Sequence, residues 1–107
     1  MHRDLEAVAG GCSALGHPMR LAVLYAIRGL GESSPVELAE LLAPEARPVS
    51  AVAYHVRRLL DAGLIELAGT RPVRGALEHR YRVTRKGSAW LTALESLDGL
   101  AQSATTR

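Results

Sequence analysis

Ser50, Tyr54 and Arg57 share one face of the segment PVSAVAYHVRRLLDAGLIEL, residues 48–67, with Ala53 and Arg58 at its edges. Hydroxyl and guanidinium groups separated by small side chains bind phosphate oxygens and base edges, and the lack of bulk lets a helix approach a groove. A plain amphipathic helix with a solvated outer face has the same pattern, so the segment alone leaves both readings open. Arg47 and Arg58 are candidate phosphate contacts, and Arg71 and Arg74 are candidates for the backbone or the minor groove. His55 lies at the edge of the apolar stripe, where it reads either as a packing residue or as a phosphate contact.

Other chemistry has weaker signals. The four histidines, His2, His17, His55 and His79, are scattered. There is no glycine-rich phosphate loop, no carboxylate pair at an apolar site and no Ser-His-Asp ordering, so neither an enzyme nor a cofactor is expected. A structural metal site needs about four well-spaced ligands, and none can be assembled. Cys12 sits on an apolar stripe and reads as a buried, inert thiol. Tyr81 and Trp90 read as core or interface residues.

Charge supports a polyanionic partner. Residues 47–86 hold nine basic and three acidic side chains, a net of +6, whereas residues 1–46 have a net of −3 and residues 87–107 a net of −1. Basic side chains clustered around a helix of this kind are the electrostatic footprint of nucleic-acid binding. A protein-interaction module without direct DNA contact is the alternative, but it calls for an arginine-poor surface. RNA recognition lacks the aromatic stacking platform it uses on a sheet.

Stepping along the chain gives the elements that hold these residues. At 107 residues one domain is expected, residues 1–107, with a core built without phenylalanine. Leu5, Val8, Cys12 and Leu15 predict a helix over 3–15, weakened by Gly10 and Gly11. Pro18 opens a second helix reaching about Arg28, with Leu21, Val23, Leu24 and Ile27 apolar. Ser34-Pro35-Val36-Glu37 predicts a capping box and a third helix ending before Pro44. The fourth helix carries Val49, Val52, Val56 and Leu59 on one apolar face and stops at Gly63. A strand over 64–68, a turn-rich stretch 69–75 and a strand over 77–83 follow. In the second strand Leu77, His79, Tyr81 and Val83 are expected inward. Thr84 is the expected cap of a fifth helix carrying Trp90, Leu91, Leu94 and Leu97, and the tail 102–107 is expected to be disordered. The fold class is therefore mainly α with a small β-wing: a winged helix-turn-helix of four helices, two strands and a fifth helix.

No apolar run approaches the roughly 20 residues of a membrane span, and the opening MHRDLE lacks a signal-peptide core. A single cysteine rules out an intramolecular disulfide and fits a reducing cytoplasm. The stripes of the first and last helices exceed what a core this size needs. Leu5, Val8, Cys12, Trp90, Leu91, Leu94 and Leu97 are therefore the expected homodimer interface.

ALGHPMRLAVLYAI at 14–27, SPVELAELL at 34–42, VSAVAYHVRRLLDAGLIEL at 49–67 and EHRYRVT at 78–84 resemble the ArsR/SmtB-type winged-helix transcriptional regulators across roughly residues 5–95. The resemblance implies a homodimer formed by the first and last helices. It also implies that the fourth helix enters the major groove, and the expected function is a repressor that recognises a pseudo-palindromic double-stranded operator. The family's thiolate pair falls on Ser34 and Val36, and the last helix offers only Glu95 and Asp98 in place of its histidine-containing zinc set. Metal sensing is therefore not expected.

Overall fold

Prolines and hydroxyls open the described helices of this chain, and left-handed glycines at 31 and 63 close two of them. The structure, a computed structural model, describes residues 18–42 and 48–105. Helix α1 (Pro18–Leu30) starts on Pro18, whose missing N–H would be unpaired in the first turn anyway. It buries Arg20, Val23, Leu24 and Ile27, a single helical stripe. Gly31 then turns left-handed at φ 84°, and its N–H donates back to the Arg28 carbonyl at 3.3 Å.

Helix α2 (Pro35–Leu41) has the predicted capping box. The Glu37 N–H donates to Ser34 Oγ at 3.2 Å, and the Ser34 N–H donates to Glu37 Oε1 at 3.1 Å. Two orphan donors of the first turn are satisfied reciprocally, which lets a seven-residue helix hold its place.

Helix α3 (Val49–Asp61) buries Val52, His55, Val56 and Leu59. Its end is a Schellman motif. Gly63 has φ 75°, its N–H donates to Leu60 O at 2.9 Å, and the Leu64 N–H donates to Leu59 O at 3.0 Å. Leu59 and Leu64 are both fully buried, so the apolar contact that accompanies this cap is also part of the core.

Strands β1 (Ile65–Val73) and β2 (Ala76–Val83) form an antiparallel hairpin. Its two central residues, Arg74 and Gly75, have φ of 47° and 82°, the positive values a type I′ turn requires. A bulge at Ala68 shifts the register between Leu67 and Gly69, which adds local twist. Ser33 bridges to Tyr81 through paired backbone bonds of 2.9 and 2.8 Å, so the α1–α2 loop lies along the free edge of β2.

Helix α4 (Arg85–Thr105) is capped by Thr84, whose Oγ1 accepts from the Gly87 N–H at 3.0 Å and donates to Gly63 O at 2.7 Å. Gly87 marks the closest approach. A Cβ there would stand 2.1 Å from the Leu64 carbonyl oxygen and 2.8 Å from Val83 Cγ1. The core inside these elements is wholly aliphatic. Val23, Leu24, Ile27, Leu38, Val52, Val56, Leu59, Leu64, Ile65 and Leu91 form it, with Tyr81, Val83 and Trp90 packed half-buried against it.

The architecture is the expected one, with local corrections. Residues 69–73 are strand instead of turn, because Pro72 and Val73 pair with Leu77 and Ala76 and leave only two residues for the turn. Tyr81 and Val83 face the core as expected, but Leu77 is 63% exposed and His79 is also exposed. The outer half of the hairpin extends past the core, so an inward-facing residue there has nothing to meet. Helix α4 continues to Thr105, through the segment expected to be disordered from residue 102. The predicted helix over 3–15, with Leu5, Val8 and Cys12, lies outside the described residues, as does Arg47.

Candidate nucleic-acid interface

The outer face of α3 is set by what its inner face buries. Val52, Val56 and Leu59 anchor the helix in the core, which leaves Ser50, Ala53, Tyr54, Arg57 and Arg58 all in solvent. Their i, i+3, i+4, i+7, i+8 spacing gathers them on one surface. Tyr54 is 57% exposed yet held from beneath. The Arg20 guanidinium carbon lies 5.9 Å from its ring centroid, and the His55 ring meets it edge-on at 5.6 Å. His55 itself is only 7% exposed, and its Nδ1 accepts from Arg20 Nε at 3.4 Å. His55 therefore faces inward as a packing residue.

The wing handles its charges differently. Arg71 donates to Glu78 at 3.0 Å and Arg82 to Glu66 at 2.7 Å. Arg80, its side chain 14% exposed, donates to Glu32 at 2.8 Å, to Glu37 at 2.5 Å and to Glu78 at 3.0 Å. Its Nη2 also donates to the Glu32 backbone carbonyl at 3.3 Å. Hydrogen bonding to Glu32 raises the Arg80 pKa further above its ordinary value. Burial opposes this, and Glu37 and Glu78 reinforce it. For Glu37, burial favours the neutral acid, but the Ser34 N–H and the Arg80 guanidinium outweigh it and hold the carboxyl below its ordinary range. Arg74, at the left-handed tip, is exposed and has no ion-pair partner among the described residues. The same holds for Arg57 and Arg58 on α3.

Of the residues expected at a dimer surface, Leu91 is fully buried in the chain's own core and so is not available to a partner. It comes from the same helical stripe as Trp90 and Leu94, which are half-buried, while Leu97 is 62% exposed. Sequence pattern alone does not mark Arg20 or Arg80 as a site residue. Arg20 has a weaker signal, since it stands on the α1 stripe three and four residues before Val23 and Leu24. Arg80 has none, because two of its carboxylate partners lie 43 and 48 residues away.

Among the described residues no group of three or more His, Cys, Asp or Glu side chains is placed to hold a metal. No described helix is long and apolar enough to cross a membrane.

A short capped helix, a second helix with a bare polar face, and a two-stranded hairpin pinned beside them make a winged helix-turn-helix. The chain belongs to the helix-turn-helix domain family, whose model matches residues 15–68. No curated protein matches the sequence. Among solved structures, the transcriptional regulator HlyU from Vibrio vulnificus is similar at 23% identity and a TM-score of 0.65, over 91% of this chain and 93% of that one. The homodimeric winged helix-turn-helix DNA-binding domain of Mb0332 from Mycobacterium bovis, described as a possible ArsR-family regulator, superposes with a TM-score of 0.72. It has 17% identity, over 99% of this chain and 91% of that one. A MarR variant from E. coli, solved in complex with operator DNA, aligns at 25% identity and a TM-score of 0.53, over 67% of this chain and 48% of that one.

Proposed function

We propose that this chain is a cytoplasmic, sequence-specific regulator of transcription that binds double-stranded DNA as a homodimer and acts as a repressor. Helix α3 enters the major groove, where Ser50, Tyr54 and Arg57 meet base edges and Arg58 and Arg47 meet phosphates. Arg74, joined by Arg71 once its pairing with Glu78 yields, meets the backbone or minor groove beside it. The observation that carries this reading is the outer face of α3: hydroxyl, phenol and two guanidiniums on one surface, with no carboxylate until Asp61. The similarity to the homodimeric DNA-binding domain of Mb0332 and to the MarR variant in complex with operator DNA supports it.

Trp90, Leu94 and Leu97, together with Leu5, Val8 and Cys12, supply the dimer surface. Two-fold symmetry then sets two α3 helices roughly 34 Å apart on one side of the duplex. Regulation runs without soft metals. Ser34 stands where the ArsR-type thiolate pair begins, and its Oγ is committed to the α2 cap, while Val36 offers no ligand atom.

Selection of bound sites from random duplex DNA at low salt tests the reading. The expected result is an enriched pseudo-palindrome with half-sites about one helical turn apart. No enrichment would overturn DNA recognition and favour a protein-interaction module. Sedimentation without DNA tests the dimer, for which a clean 11.4 kDa species is the contrary result.

A further inference from the structure

Arg80 lies in the basic wing, yet its surroundings are acidic. Its guanidinium holds carboxylates from three places: Glu32 in the α1–α2 loop, Glu37 in the first turn of α2, and Glu78 on its own strand. Glu37 Oε1 takes three donors at the same point. It accepts from Arg80 Nη1, from the Ser34 N–H of the capping box at 3.1 Å and from Ser33 Oγ at 3.4 Å. One oxygen therefore closes the N-terminus of α2 and fastens β2 to it. The Ser33–Tyr81 backbone bridge sits one residue further along both segments.

We propose that Arg80 is a positioning residue that fixes the wing to the helix-turn-helix through this carboxylate knot, without touching DNA itself. The DNA half of this statement rests on the function proposed above; the fastening half does not. A guanidinium presents donors in a rigid planar fork and can serve several acceptors at once, whereas a lysine ammonium acts as a point charge. With its positive charge spent on three carboxylates, Arg80 has little left for a phosphate. What it supplies is the angle at which the wing tip, with Arg74, stands beside α3.

Two competing roles predict opposite signs. Were Arg80 a phosphate contact restrained by acids, Glu32→Gln with Glu78→Gln would release Arg80 and Arg71 and remove two negative charges. DNA would then bind more tightly. A knot that positions the wing predicts the reverse. The double variant should bind its selected site roughly five-fold or more weakly despite its higher positive charge. Hydrogen exchange without DNA gives an independent readout at the Tyr81 amide, which donates to Ser33 O at 2.8 Å. That amide should lose protection in the double variant while the α3 amides keep theirs. Arg80→Lys keeps the charge but not the fork, so it should expose Tyr81 in the same way; full protection there would overturn the knot. Tighter DNA binding by the double variant would overturn the positioning role. If the wild-type chain bound no DNA, the proposed function would fall, and Tyr81 protection would still decide whether Arg80 fastens the wing.

Discussion

Arg57 and Arg58 on α3 have no carboxylate partner among the described residues, whereas three of the wing's four arginines, Arg71, Arg80 and Arg82, are already paired. Both regions contribute to the same +6 between residues 47 and 86, yet only one of them leaves that charge open. On α3 the inner stripe does the anchoring, so the outer face is free to be chosen for a partner. The outer wing extends past the hydrophobic core, and its register against the domain rests on ion pairs and backbone bridges. A count of basic residues therefore overstates the charge a polyanion would meet on the wing, where Arg74 is the exception, and is close to correct on α3.

The two regions share one joint, and breaking it should have the largest effect. Leu64 ends the Schellman cap of α3, precedes β1, and accepts the Thr84 N–H at 3.0 Å with its carbonyl. Gly87 packs against that carbonyl so closely that a methyl group must displace backbone. Gly87→Ala is expected to destabilise the fold by about 3 kcal/mol, seen as a lower denaturant midpoint, with loss of α3 and wing together. A shift under about 0.5 kcal/mol, the scale of a neutral surface change, would mean that α4 can lift away without disturbing either region.

Arg57 and Arg74 sharpen the comparison under DNA. Arg57→Ala should weaken the selected site by about 1–3 kcal/mol and relax preference at one base position. Arg74→Ala should weaken selected and random duplexes alike and reduce the slope of log affinity against log salt by about one unit. Titrations over a salt series on both DNAs separate the two outcomes. Equal losses on both duplexes for Arg57→Ala would remove it from base readout and leave α3 as a phosphate-binding face.

What could be read from the sequence follows the range of the forces involved. The capping box at Ser34 and Glu37, the left-handed stop at Gly63 and the Thr84 cap are local, set within four residues, and each stands where expected. The outer face of α3 was equally legible, because helical spacing alone assigns Ser50, Tyr54 and Arg57 to one side. His55 sat on the boundary between faces and went inward because of Arg20, 35 residues away. Strand alternation placed Tyr81 and Val83 correctly but misplaced Leu77, since a period of two says which side a residue takes and not how far the core extends beneath it. The Arg80 knot draws two of its three carboxylates from 43 and 48 residues away, and no local pattern marks it.

The smallest expected effect is at that knot, and acid exposes it. The Glu37 carboxyl is held below its ordinary pKa in the folded chain. Its contribution to stability is therefore present above the unfolded value of about 4.3 and is lost as pH falls from there through the lower folded value. The Arg80 guanidinium stays charged throughout, so Glu37 is the member whose titration loosens this contact. Glu37→Gln keeps an amide oxygen for the Ser34 N–H but removes the titrating group, so the α2 cap survives while the charged contact with Arg80 does not. The Glu37 side chain is 37% exposed, and solvent screening limits the expected difference to about 1 kcal/mol or less. Denaturant midpoints measured from pH 7 down to pH 3 should show the variant less stable than wild type at neutral pH. The two curves should then converge below about pH 4.3. Parallel curves would mean that the carboxylate contributes no differential stability, and that the wing is held at this point by the Ser33–Tyr81 backbone bridge instead.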